Sequence, residues 1–180
     1  MNLEQVKEHI KEEEGFSNKV YLDHLGYGTI GYGHLVKPLD NFVEGKVYDN
    51  EQLEKLFEYD FQIAYQDAVS LAKSNNVDSY ECVEILIHMC FQMGKPKVSK
   101  FKKMFEALGK KDYDSAANEM LDSLWAKKHT PARAERLAKR MRELTWESVR
   151  KELRLLKRKL MWMRCVKNIN MMILELKWWK

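Results

Sequence analysis

The sequence predicts an α+β protein in which a short antiparallel sheet near the N-terminus is segregated from a larger, all-helical remainder. Three observations predict it. Residues 19–36 combine the β-prone Val20, Tyr21, Thr29, Ile30 and Val36 with Gly26, Gly28, Gly31 and Gly33, a pattern found nowhere else in the chain. Elsewhere, apolar residues recur every three or four positions, as one face of a helix requires. Capping residues, glycines and prolines fall where these apolar runs start and stop.

The elements follow in order. Leu3, Val6 and Ile10 mark a first helix, and Gly15 suits the position just past its end. Glu14 is thereby placed at a helix C-terminus, where the negative end of the dipole favours a protonated carboxyl. Two or three short strands with glycine-built turns occupy 19–36. Asp49 to Gln52 resembles a capping box, and Leu53, Leu56, Phe57, Ala64 and Ala68 share the face of the helix behind it. Asp78 with Glu81 opens a helix carrying Val83, Leu86, Ile87, Cys90 and Phe91, which Gly94 and Pro96 stop. Phe101, Met104, Phe105 and Leu108 predict a short helix ended by Gly109. Ala116, Ala117, Met120, Leu121 and Leu124 predict the next. Thr130 and Pro131 read as cap and first residue of another helix, and Thr145 as the cap of its successor.

Composition adds bounds. The 180 residues suffice for one domain with a sizeable core, and 45% hydrophobic content is ordinary for a folded protein. The net charge of +4 conceals an asymmetry: residues 150–180 carry +8, which leaves −4 for residues 1–149. Cys82, Cys90 and Cys165 have no metal-binding spacing, so free thiols and synthesis in a reducing compartment are expected. Met1–Gln5 lacks a basic segment followed by an apolar run, so no secretory signal is expected. No apolar run approaches the length of a membrane span.

The chemistry concentrates in one stretch. Glu14 and Asp23 put carboxylates on a helix end and on a loop after a strand, and Thr29 starts another strand. Two separated carboxylates are the equipment of glycoside hydrolysis, one as acid and one activating water. The plainer reading makes Glu14 part of a solvated acidic face, Glu12-Glu13-Glu14. His34, alone between glycine and leucine, reads as structural rather than as a base. His9, His24, His88 and His129 show no mutual metal spacing, so no metal or cofactor is assigned.

Glu14-Gly15, Tyr21-Leu22-Asp23 and Thr29-Ile30-Gly31-Tyr32-Gly33-His34-Leu35 resemble the active-site segment of T-even phage lysozymes, glycoside hydrolase family 24. The resemblance continues at Glu54-Lys55-Leu56-Phe57 with Asp60, Phe91-Gln92-Met93-Gly94, Trp125, Thr130-Pro131-Ala132-Arg133-Ala134 and Thr145-Trp146. It covers residues 1 to about 150. It implies a lysozyme domain over 1–150, with a small lobe at 13–60 and a helical lobe from 1–12 plus 61–150. It further implies Glu14 as general acid, Asp23 activating a water, and Thr29 holding that water, in an inverting cleavage of peptidoglycan between N-acetylmuramic acid and N-acetylglucosamine. Leu35 and Phe91 match cleft-lining positions. Arg133 matches a residue beside the acid, where its charge opposes the helix-end effect, and His34 matches one paired with the counterpart of Asp60. No cofactor is implied, and the partner is a peptidoglycan glycan strand met by a monomer. An endolysin of this kind is made in the host cytoplasm and reaches the periplasmic wall once the membrane is permeabilised.

Departures from the family fall on one side of the cleft. Met104 and Glu119 stand where small polar residues are usual, Leu124 replaces an arginine, Ala132 replaces an asparagine, and Trp125–Pro131 is one residue longer. Residues 151–180 lie beyond the resemblance. There Trp162, Val166, Ile169, Ile173 and Leu176 line one face of a basic helix, and Trp178 and Trp179 follow. Such a tail suits an anionic membrane or lipopolysaccharide surface. A packed terminal helix, a self-association stripe and a non-native appendage stand as alternatives. No nucleic-acid motif accompanies the charge. Two further readings of the whole chain remain beside the enzyme: a cationic membrane-active protein acting through this tail, and a lysozyme-like domain that binds glycan without cleaving it.

Overall fold

A short N-terminal helix delivers the chain into a three-stranded sheet, and the described elements that follow are helices; the computed structural model describes residues 2–23, 26–145, 150, 153–158 and 161. Helix α1, Leu3–Glu14, starts where the Asn2 side chain accepts the Gln5 N–H, and it buries Val6 and Ile10. Gly15, at φ 71°, ends it by donating its N–H to the Lys11 carbonyl. Glu14 is therefore the last residue of α1.

Strands β1 (Ser17–Leu22), β2 (Gly28–Gly31) and β3 (His34–Leu35) form an antiparallel sheet in that order. Thr29 sits opposite Tyr21 on one side and Leu35 on the other, so these three side chains share a sheet face. Ile30 and its partner His34 occupy the other face. On that side Ile30, Tyr48 and Leu53 form a small core, with Val20, Val36, Phe42 and Leu56 around it.

Helix α2 spans Asn50–Ser74, capped by the Asp49 carboxylate, which accepts the Glu51 and Gln52 N–H groups. At 25 residues it extends about 37 Å. Leu53 belongs to the small core, while residues from Phe57 onward belong to a large core shared with the remaining helices. These are α3 (Tyr80–Met93), α4 (Lys95–Val98), α5 (Lys102–Gly109), α6 (Tyr113–Leu121) and α7 (131–145). Val6 and Ile10 join the large core, so α1 is held by it even though its C-terminal end leads into the sheet.

Several sequence expectations are corrected. The cap of α3 is Ser79, whose hydroxyl accepts the Cys82 N–H, one residue later than Asp78; the Asp78 carboxylate takes Lys111 instead. The Thr130 hydroxyl does not cap α7 but meets the Gln92 side chain, leaving its carbonyl to accept the Ala134 N–H. Thr145 ends the described part of helix 131–145 and donates to Asp114, and the helix it was expected to cap lies outside the described residues. Leu124 is outside α6 and 67% exposed, so it is no part of that apolar face. Met104 is 0% exposed in the large core, which removes it from any cleft wall. Trp125–His129 forms a π-helical turn in which the Thr130 N–H reaches the Trp125 carbonyl.

Cys82 and Cys90 are free and buried, and burial pushes their thiols up to about 11 and about 12. Residues 153–158 are helical and exposed. The apolar positions Trp162, Val166, Ile169, Ile173 and Leu176, with Trp178, Trp179, Cys165, Trp146 and His24, lie outside the described residues. Among the described residues no helix is long and apolar enough to cross a membrane.

Truncating a fully buried methionine removes its transfer energy and leaves a cavity. Met104→Ala is therefore expected to cost about 2–5 kcal/mol of unfolding free energy in denaturant titration, whereas a cost near zero would mean the side chain is not packed as described.

Candidate active site

Glu14 and Arg133 are 119 residues apart in the sequence and meet because α1 ends where α7 begins. The Arg133 guanidinium donates from Nη1 to Glu14 Oε1 at 2.6 Å, and its Nε lies 2.9 Å from Glu13 Oε2. Arg133 is only 8% exposed, so both contacts act with little solvent screening. Arg136 also pairs with Glu13, and the His88 Nδ1 stands 3.4 Å from Glu13 Oε2. Burial alone would raise the Glu13 carboxyl, but contacts with His88, Arg136 and Arg133 outweigh it and lower the pKa to about 2. The acidic run 12–14 is thus not a uniformly solvated face, since Glu13 is built into the protein.

On the sheet side, Gly33 faces the other oxygen of Glu14. Its φ of 85° suits glycine, and a Cβ there would stand 3.2 Å from Glu14 Oε2. The Glu14 carboxylate is thereby set between a cation on one oxygen and a bare backbone beside the other.

Asp23 closes the β1–β2 hairpin. Its N–H donates to the Tyr27 carbonyl at 2.9 Å, while its Oδ1 accepts the Tyr27 N–H at 2.8 Å. Burial first, then the negative charges of Glu14 and Asp23, raise the Tyr21 phenol above its ordinary value. Both carboxylates therefore act on one phenol, and Asp23 lies two residues beyond it at the turn of the same hairpin. Thr29, buried on the same sheet face as Tyr21, donates its hydroxyl to the Tyr27 carbonyl at 3.3 Å. Leu35 completes that face and is exposed, whereas Phe91 is partly buried against the large core with its ring 5.6 Å from Phe57.

His34 lies on the opposite face. Its Nδ1 meets Asp60 at 2.7 Å and its Nε2 meets Asp40 at 3.1 Å. With both nitrogens engaged by carboxylates, it is a brace between the sheet, α2 and the loop at Asp40. The hydrogen bond to Asp60 leads in raising its pKa, against an opposing effect of burial, and Asp40 adds to it.

Glu13 and Asp40 had no part in the site on sequence grounds, and Tyr21 and Gly33 stood inside the active-site segment without a role of their own. Gly33 carried a signal in the Gly31–Gly33 alternation before His34. The roles of Glu13, Tyr21 and Asp40 depend on contacts made by folding.

Residues 11–144 match the family model described as phage lysozyme. The chain is 32% identical to probable T4-type lysozyme 2 of Dictyostelium discoideum, over 75% of this chain and 92% of the relative. It is also 32% identical to the pre-baseplate central spike protein Gp5 of Enterobacteria phage T4, over 73% of this chain and 26% of that protein. With the peptidoglycan hydrolase gp36 of Pseudomonas phage phiKMV it shares 28% identity, over 75% of this chain and 15% of that protein.

Two outcomes test this geometry. Gly33→Ala forces a side chain into a left-handed backbone beside Glu14, which should cost about 1 kcal/mol or more in stability and lower hydrolytic turnover further than that loss explains. An activity loss accounted for entirely by unfolding would argue against the Gly33–Glu14 approach. For His34, whose folded pKa is raised above 6.5, the stabilisation is fully present below pH 6.5 and is lost as pH rises through the folded value. Unfolding titrations from pH 6 to 9 should show that decline in the wild type, and His34→Gln should flatten it.

Proposed function

This chain belongs to the phage lysozyme family and is a glycoside hydrolase, and we propose that it cleaves the β-1,4 bond between N-acetylmuramic acid and N-acetylglucosamine in peptidoglycan with inversion. The name of the phiKMV relative, a peptidoglycan hydrolase, supports that substrate. One observation carries the reading. Glu14 is held between Arg133 and Gly33, while Asp23 stands on the hairpin and acts with it on the Tyr21 phenol.

The roles follow from chemistry. Glu14 gives its proton to the glycosidic oxygen as the bond from the anomeric carbon breaks. A water held by Thr29 attacks that carbon from the opposite face, and Asp23 accepts the proton the water loses. The cycle leaves Glu14 ionised and Asp23 protonated, and solvent returns the proton. Arg133 stabilises the negative charge that forms on Glu14. Inversion needs room for the water, which calls for carboxyls roughly 6.5–9.5 Å apart. Leu35 lies on the face a sugar would cover, and Phe91 is the matching contact on the helical side. Lysis of a host cell through its wall is the role we assign to this activity.

Glu14→Gln is expected to lower turnover on purified peptidoglycan by about 10³-fold with the fold retained. Asp23→Asn should do likewise. New muramic-acid reducing ends of inverted configuration, followed by NMR, are the expected products of the wild type. Undiminished release by Glu14→Gln would remove Glu14 as the acid, and retained configuration would replace the water-activating role of Asp23 with that of a nucleophile.

A further inference from the structure

We propose that Glu13 is a positioning residue for the reaction: by fixing the Arg133 guanidinium and taking up part of its charge, it lets Glu14 keep the proton it must donate. The proposal rests on the reading of Glu14 as the general acid.

A cation beside an acid poses a chemical problem. A guanidinium at hydrogen-bond range favours the ionised form of a carboxyl, whereas a general acid must meet its substrate protonated. Arg133 stands 2.6 Å from Glu14 and is almost wholly buried, so solvent does little to weaken its field. A second charge has to offset it. The same guanidinium places its Nε 2.9 Å from Glu13 Oε2, so two consecutive carboxylates divide one cation between them.

Glu13 is suited to this task because it is both held and charged. Arg136 of α7 pairs with its Oε1, and His88 of α3 stands 3.4 Å from its Oε2. Burial opposes its ionisation, but the contacts with His88, Arg136 and Arg133 outweigh that and keep the carboxyl at about 2. It is therefore ionised across the neutral range, where Glu14 has to exchange its proton. The other charged groups nearby leave this division in place. His9 and Glu12 of α1 border the same cavity, and so does Arg140, which Glu84 engages at 2.7 Å. With Glu14 ionised, two carboxylates face the two guanidinium groups of Arg133 and Arg136. Without the charge on Glu13, Arg133 would act on Glu14 unopposed.

The test follows the Glu14 side-chain carboxyl by carbon-13 NMR through a pH titration of the full chain, beside the alkaline limb of turnover on purified peptidoglycan. Glu13→Gln keeps the size of the side chain and removes its charge. Both the Glu14 titration and the alkaline limb are expected to move to lower pH by about one pH unit or more. Arg136 is half exposed, and Arg136→Gln releases Glu13 to pair more fully with Arg133, so both midpoints should move to higher pH. A merely structural role for Glu13 would lower turnover at every pH and leave the midpoints where they are. Unmoved midpoints in both variants, or movement in the same direction in both, would overturn the proposal. Should Glu13→Gln fail to fold, the rise in Arg136→Gln decides it. A Glu14 titration that moves while the alkaline limb stays would support the coupling to Glu13 and overturn the reading of Glu14 as the acid.

Discussion

The contact on which the site depends is the one between Arg133 and the adjacent carboxylates Glu13 and Glu14. Each partner stands at the wrong end of its own helix. Two carboxylates at the C-terminus of α1 face the negative end of its dipole, and an arginine in the first turn of α7 faces a positive end. Bringing the two helix ends together resolves both conflicts at once. Because Arg133 is almost wholly buried, it would be a desolvated charge without the two carboxylates, a far larger penalty than a surface pair carries, whereas Glu13 would keep Arg136. The pairing therefore specifies where α7 begins against α1, and the large core needs only to be compatible with it.

The sheet is tied to the helices by a second set of polar contacts. Tyr32 donates to Glu54 at 2.6 Å, and Lys11 meets the same carboxylate at 2.7 Å while lying over the Tyr32 and Phe57 rings. Lys7 meets Glu58 at 2.8 Å one turn further along α2. On the far side, His34 joins β3 to Asp60 and to Asp40. The small apolar core of Ile30, Tyr48 and Leu53 is thus flanked by charged contacts, which supply direction where so few buried side chains leave orientation loose.

Much of this was legible in the sequence because it is local. Gly15, Asp49 and the glycine-punctuated hairpin gave the end of α1, the start of α2 and the sheet, since each signal acts within a few residues of its effect. Caps slipped where neighbouring polar residues competed: Ser79 took the role expected of Asp78, and Thr130 turned its hydroxyl to Gln92. For Met104 the period was right, since the side chain is buried with α5, and only its alignment with a cleft position was not. Leu124 was misplaced because a helical period gives a face but not what covers it. Glu13 and Asp40 were missed for the same reason. Their partners lie far away in sequence or on another element, and an acidic residue on an amphipathic helix looks the same whether solvated or paired.

The depth at which Cys82 and Cys90 sit has a chemical consequence of its own. A thiol titrating near 11 or 12 is ionised in only about one molecule in ten thousand or fewer at neutral pH, and thiolate is the species that attacks disulfides and oxidants. Both sulfurs are therefore nearly inert while the native packing holds. A protein built in this way can move between reducing and oxidising surroundings without acquiring cross-links at these two positions. Its redox durability is set by the same close packing that holds α3 in the core, and it would be lost only with that packing.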